Sequence, residues 1–90
     1  MTERVMNYAG PVKRSVMIAG HLTSVSLEPL FWEALKRAAA EEGVPVSALV
    51  ARIDAERLTG AGAVNLGSAI RQWLFARAVG KEEVESKGHP

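Results

Sequence analysis

The chain has 90 residues and a formal net charge of +1, which by itself is too small to indicate a nucleic-acid partner. A chain of this length forms one small domain that buries only roughly two-thirds of its unfolded surface, so association with a second copy is favoured. Cysteine is absent, which excludes disulfides and thiolate metal sites, and no apolar run approaches the roughly 20 residues that span a bilayer, so we expect a soluble cytoplasmic protein without membrane contact.

Two stretches near the N-terminus alternate in the manner of β-strands. Residues 1–11 show no period, and we expect a flexible arm there. In the stretch VKRSVMI, Lys13, Ser15 and Met17 lie on one side, and the other side carries Val12, Arg14, Val16 and Ile18. Gly20 predicts a bend or a bulge. A half-buried strand follows, with Thr23, Val25 and Leu27 on one face and Leu22, Ser24 and Ser26 on the other.

Three helices are predicted after this strand. Pro29 begins the first and Gly43 ends it. Ser47 is the expected N-cap of the second. The third runs from about residue 66 to 79, capped by Asn65 and ended by Gly80, and the tail 81–90 is expected to be disordered. The apolar stripes of the helices are, in chain order, Phe31, Leu35 and Ala38; Leu49, Val50 and Ile53; and Leu66, Ile70, Trp73 and Leu74. We expect Trp32, which lies off the first stripe, to receive the third helix.

One strand followed by two helices cannot satisfy its own backbone hydrogen bonds. We therefore expect the strand to pair antiparallel with the same strand of a second chain, around a two-fold axis. The fold class is then mainly α, as an intertwined homodimer with an intermolecular β-ribbon. Its expected dimer core consists of Val25, Leu27, Phe31, Leu35, Leu49 and Ile53.

The stretch TSVSLEPLFWEALKRAAAEEGVPVSALVARID resembles a ribbon-helix-helix protein of the Arc and MetJ superfamily. More narrowly, KRSVMIAGHLTSVSLEPLFWEALKRAA together with NLGSAIRQWLF is similar to a family of short proteobacterial ribbon-helix-helix proteins. The similarity covers roughly residues 13–79, with a ribbon-helix-helix domain at 12–60 and an additional helix at 61–80 that packs on the dimer.

The resemblance implies a homodimer that binds double-stranded DNA site-specifically and acts as a small repressor, with or without further association of dimers along the DNA. It places the outward strand residues Leu22, Ser24 and Ser26 on base edges, although members of the narrower family usually have arginine in place of Leu22. It places the start of the second helix on a phosphate, where free N–H groups also favour an anion. The predicted DNA-binding residues are Lys13, Arg14, His21, Leu22, Ser24, Ser26, Ser47 and Ala48.

Other functions receive less support. The two strand serines have an alternative reading as the hydrated face of a half-exposed sheet. With His21 and His89 as the only histidines, the sequence offers no usual zinc site and no Ser-His-acid pattern, so we expect neither a metal, a cofactor nor an enzyme. The alternative function is a protein-interaction or antitoxin-like adaptor dimer that binds another protein through residues 65–80.

Overall fold

Two β-strands precede three α-helices in the computed structural model, which describes residues 8–60 and 64–87, with side chains of the last helix described as far as residue 81. The elements are β1 (Val12–Ile18), β2 (His21–Leu27), α1 (Pro29–Glu42), α2 (Val46–Thr59) and α3 (Leu66–Lys87). This order confirms the predicted fold class, a mainly helical ribbon-helix-helix arrangement with an additional C-terminal helix. Most of the predicted N-terminal arm lies outside the described residues.

The two strands form an antiparallel hairpin, in a register that runs from Val12 opposite Leu27 to Ile18 opposite His21. Ala19 and Gly20 connect them, with φ angles of 49° and 84°. Two successive left-handed residues are typical of a type I′ turn, whose twist matches that of paired strands. The predicted bend at Gly20 is therefore a tight turn.

The strand that pairs with β2 belongs to the same chain. The pairing with a second chain that we predicted from the sequence rests on treating the second strand as unpaired within its own chain. A two-residue connection brings β1 and β2 together at a very small cost in loop entropy, so the local pairing is favoured. A two-stranded ribbon thus exists without a second chain, and the homodimer stays a prediction.

Helix α1 begins at Pro29, as predicted, and ends in a Schellman motif. Gly43 has φ 69°, and the N–H of Val44 donates to Ala39 O at 3.0 Å while that of Gly43 donates to Ala40 O at 3.1 Å. This motif ends in a left-handed residue, a conformation that glycine adopts without strain. Gly43 in the sequence was therefore sufficient to predict the end of the helix.

The buried stripe of α1 is rotated from the predicted one. Trp32 is 3% exposed, whereas Phe31 is only half-buried. The indole Nε1–H of Trp32 donates to Val12 O at 2.9 Å, so the ring packs on β1. The ribbon thus supplies a hydrogen-bond acceptor for the indole, and the buried ring belongs to the same core as the apolar residues of the third helix.

Helix α2 begins one residue before the predicted N-cap. Pro45 occupies the N-cap position and forms no side-chain capping bond, and Ser47 is already the second helical residue. The prediction of Ser47 as N-cap is wrong, since the φ of Pro45 already suits the entry to a helix. The buried residues of α2 are those predicted, namely Leu49, Val50 and Ile53.

Helix α3 starts as predicted but continues further. Asn65 Oδ1 accepts the N–H of Ser68 at 2.8 Å, which confirms the cap. The helix passes through Gly80 to Lys87, so the predicted end at Gly80 is wrong and part of the predicted tail is helical. One glycine inside a helix costs about 1 kcal/mol, which does not by itself end the helix.

The apolar stripe of α3 is covered by its own chain. Leu66, Ile70 and Leu74 are buried in one core with α1, α2 and the inner face of the hairpin, and Trp73 packs partly buried against that core. We had expected the helices of a dimer to provide this cover. No helix among the described residues is both long and apolar enough to cross a membrane.

Candidate nucleic-acid interface

One face of the hairpin carries no helix from the described part of the chain, residues 8–60 and 64–87. In this antiparallel register, residues directly opposite each other point to the same side, and the side chains alternate along each strand. Three cross-strand pairs share the uncovered side, and all six residues are exposed. We call this side the outward face; its pairs are Lys13 with Ser26, Ser15 with Ser24, and Met17 with Leu22.

The opposite face of the hairpin determines this orientation. Val16 and Ile18 of β1 are each 8% exposed, while Val25 and Leu27 of β2 are 2% and 0% exposed. A register slip of one residue would move this apolar set to the solvent and the serines into the core. The hydrophobic pattern therefore maintains the presentation of the polar residues.

The outward face is polar at one end and apolar at the other. Lys13 contributes an ammonium group, and the hydroxyls of Ser15, Ser24 and Ser26 can each donate and accept hydrogen bonds. A two-stranded ribbon fits the major groove of B-DNA, where base edges present both donors and acceptors. This end has the chemistry for contacts with phosphates and bases.

Two of the predicted DNA-binding residues lie on the helix side of the hairpin. Arg14 is exposed, and its guanidinium lies 5.2 Å from the centroid of the Trp32 ring, within the range of a cation–π interaction. His21 is exposed and opposite Ile18, beside the turn. The alternation places Arg14 on the same side of the strand as the buried Val16 and Ile18, so its position on the helix side could be predicted from the sequence.

The first turn of α2 contains the other predicted phosphate contacts, Ser47 and Ala48. Ser47 is half-buried and Ala48 is exposed. The Ala48 N–H donates to Pro45 O at 3.1 Å. The N–H groups at the two preceding positions have no acceptor within a helix, so they are the donors that this turn offers to an anion.

The residues predicted as a dimer core are packed within a single chain. Leu27 and Leu35 are 0% exposed, Leu49 is 1% and Ile53 is 2%. Phe31 differs, because it is half-buried. Burial of this set does not require a second copy.

A contact between α3 and β2 supports the polar end of the outward face. A Cβ built on Gly67 would lie 3.0 Å from Ser26 O, so only a residue without a side chain allows this approach without a shift. Arg71 donates to Ser26 O at 3.3 Å and to Glu28 Oε1 at 2.9 Å. An open groove of about 350 Å³ between the two elements is bordered by Ser24 and Ser26.

Arg71 also influences the electrostatics at this contact. Its hydrogen bond to Glu28 is the main cause that holds the pKa of that carboxyl below its usual value. Its guanidinium lies 5.7 Å from the centroid of the Phe31 ring. Sequence reasoning missed Arg71 because its partners are at least 40 residues away, although the motif NLGSAIR contains both Gly67 and Arg71.

Ion pairs connect the C-terminal end of α1 to α2 and α3. Arg77 of α3 bonds Glu42 at 2.6 Å and Glu41 at 2.9 Å, and Arg52 of α2 bonds Glu42 at 2.6 Å. The hydrogen bonds from Arg77 to Glu41 and from Arg52 to Glu42 are the largest causes that lower the pKa values of these carboxyls. The guanidiniums of Arg52 and Arg77 lie 5.8 and 5.5 Å from the centroid of the Trp73 ring. These contacts connect α1, α2 and α3, the three helices that pack on the inner face of the hairpin.

Metal chemistry receives no support from the described ranges, which contain no group of three or more His, Cys, Asp or Glu residues suited to hold an ion.

The comparison with protein families matched residues 11–78 to the ribbon-helix-helix domain. No curated protein and no solved structure matched the chain. The matched range contains both strands, the first two helices and the contact between α3 and β2.

Proposed function

Because the chain belongs to the ribbon-helix-helix domain family, we propose that it is a sequence-specific DNA-binding regulator, a homodimeric repressor that reads the major groove with its outward face. The family suggests DNA-binding regulation in general, typically without enzymatic activity. The observation that carries the proposal for this chain is the outward face itself, a ribbon surface with one ammonium and three hydroxyls that none of the described helices covers.

The dimensions of the hairpin suit this role. Paired strands lie roughly 4.8 Å apart and the major groove is about 12 Å wide, so the central strands of a ribbon fit into it with their side chains while flanking strands lie over its edges. Serine side chains are short, so the backbone must come close to the base edges. An uncovered ribbon permits this approach, whereas a strand beneath a helix layer does not.

We infer that a second chain joins at the edge of β2 that faces away from β1. Ile18 and His21 close the two-residue turn and exchange hydrogen bonds, so the backbone groups of Leu22 and Ser24 point away from β1. Pairing of residues 22–24 with the same segment of a second copy would place the two β2 strands at the centre. Helix α3 covers the same edge further along, at Ser26.

This arrangement assigns a role to each predicted residue. Ser24 and Ser26 on the central strands contact base edges, and Lys13 on each flanking β1 reaches a phosphate at the groove wall. Arg14 points to the helix side, so we assign it a phosphate and not a base. A repressor of this type acts by occupying DNA that transcription requires.

The salt dependence of binding tests the proposal. Lys13 and Arg14 of two chains supply up to about four phosphate contacts, so affinity for a duplex should fall roughly a hundredfold between about 50 and 200 mM salt. The variant Lys13→Ala/Arg14→Ala should weaken binding to all sequences and reduce the salt slope by up to about one unit per lost contact. Fluorescence anisotropy with a labelled duplex measures both quantities.

A matched control exists on α1. Lys36→Ala/Arg37→Ala removes the same two charges from exposed positions of the helix layer and should leave the salt slope unchanged. If the control variant lost as much affinity as the ribbon variant, only the net charge would matter. Wild-type protein with no salt-sensitive affinity for any duplex would refute DNA binding and favour the adaptor function.

The serines should affect specificity and not general affinity. Ser24→Ala/Ser26→Ala should reduce the preference for a selected site over random DNA by about 1–3 kcal/mol per good contact. Both residues are exposed, so the fold should persist. A variant that kept full specificity would refute readout by these hydroxyls.

A further inference from the structure

The end of the outward face next to the turn is apolar. Met17 is 50% exposed and Leu22 is 70% exposed, and the two residues are direct partners in the hairpin register. Single exposed apolar residues are normal on a protein surface. Here two of them lie opposite each other on the side of the ribbon that the helices of the described chain leave uncovered. We call Met17 and Leu22 the apolar pair.

The apolar pair is too small to be a protein interface by itself. A standard interface uses roughly 20–30 residues on each side, whereas the next pair along the outward face, Ser15 with Ser24, is polar. Two side chains match a much smaller apolar target. The pair is also continuous with the surface that we propose to enter the major groove.

The spacing along the ribbon brings the apolar pair to neighbouring bases. Successive pairs on one face are two residues apart, or roughly 7 Å, which is at most about two base-pair steps of about 3.4 Å each. If Ser24 contacts one base pair, Leu22 therefore lies over the next or the one after. A thioether and an isobutyl group form no strong hydrogen bonds there.

Among the four unmodified base pairs, the methyl on C5 of thymine is the apolar group that the major groove displays. We propose that Met17 and Leu22 bind thymine methyl groups and so specify A·T pairs beside the bases read by the serines. This inference rests on the proposed DNA-binding function and adds the chemical class of base that this end of the ribbon selects.

Replacing thymine by uracil tests the proposal, because it removes only the methyl group. A preferred duplex is first selected from a randomised library with the full-length protein. Each thymine of that duplex is then replaced singly by uracil. Burial of one methyl group is expected to change affinity about fourfold, so wild-type protein should lose about fourfold at each thymine that the apolar pair contacts.

Variants assign the effect to the two residues. Met17→Ala/Leu22→Ala should bind thymine and uracil duplexes with equal affinity at those positions while keeping its salt dependence. Leu58→Ala is the matched control, since Leu58 is 67% exposed but lies on α2, and it should keep the fourfold difference. If the ribbon variant still discriminated, the methyl groups would be bound elsewhere and the proposal would fail.

The remaining outcomes separate this inference from the proposed function. Salt-sensitive, sequence-specific binding without any difference between thymine and uracil overturns the inference alone. A library that yields no preferred sequence overturns both. A duplex with 5-methylcytosine at the same position presents the same methyl group, and affinity equal to or above that for thymine would overturn the assignment to thymine. Analytical ultracentrifugation of Met17→Ala/Leu22→Ala is the last check. If this variant became monomeric, the apolar pair would belong to the dimer interface, and the proposal would be overturned.

Discussion

The contact of Gly67 with Ser26 predicts opposite effects for the same substitution at two positions of α3. Among the described atoms, none lies within 4 Å of a Cβ built on Gly80, whereas the Cβ of an alanine at position 67 would lie 3.0 Å from Ser26 O. Alanine is a better helix former than glycine by about 1 kcal/mol in a helix interior. Gly80→Ala should therefore raise the free energy of unfolding by about that amount.

At Gly67 the crowding outweighs this gain. The neighbouring atom is a backbone oxygen, and the buried Leu66 and Ile70 together with the bonds of Arg71 hold the first turn of α3 in place. Overpacking of this kind costs about 1–3 kcal/mol. The gain in helix propensity offsets less than about 1 kcal/mol of it in a first turn. Gly67→Ala should therefore lower the free energy of unfolding by about 1–2 kcal/mol.

Urea unfolding followed by circular dichroism measures both variants. The chain concentration must be the same throughout, because association would itself change the apparent stability. If Gly67→Ala were stabilised as much as Gly80→Ala, the start of α3 would not lie against β2. The proposed support of the ribbon by α3 would then be refuted.

Three further predictions concern the core, the turn and the response to acid. Leu35→Ala should lose about 2–5 kcal/mol in urea unfolding, because Leu35 is 0% exposed; a loss below 1 kcal/mol would contradict its burial. Ala19→Asn should raise stability by about 1 kcal/mol in a thermal melt, because Ala19 has φ 49° and asparagine tolerates that conformation better. An unchanged melting temperature would argue against the type I′ turn. Glu28, Glu41 and Glu42 have folded pKa values below the usual 4.5, so their contribution to stability is complete above about pH 4.5 and is lost as the pH falls through the lower values. Melting temperatures measured against pH should show this loss. The loss should be smaller in variants in which the arginine partners are replaced by glutamine.

The family, the element types and most of the element ends could be predicted from sequence because their signals are local. Pro29 determines where a helix starts through its own ring, and Gly43 ends it through its own φ. Asn65 caps α3 through a bond to a residue three positions away. The alternation of Val25 and Leu27 with serines determines which side of a strand is polar. Each of these effects acts within a few residues, so no knowledge of the fold is needed.

The candidate site was predictable only in part, for the same reason. The outward position of Ser24 and Ser26 follows from alternation, and so does that of Lys13. The position of Arg14 on the helix side also follows from alternation, but we predicted a DNA contact for it from its charge and did not consider its place in the alternation. That Trp32 lies beside it is a tertiary contact. Arg71 could not be identified as a support of the ribbon, because a local pattern does not reveal which surface a helix contacts.

Only the tertiary structure decided how these elements combine. It paired β2 with β1 of the same chain, selected Trp32 over Phe31 for the core, and placed Gly67 against Ser26. Each choice depends on apolar area and hydrogen bonds supplied by residues distant in sequence, as when Val12 O accepts the indole N–H across 20 positions. The sequence alone determined the local conformations and the polar side of the ribbon, whereas the packing of the helices determined which of several compatible partners each side chain has.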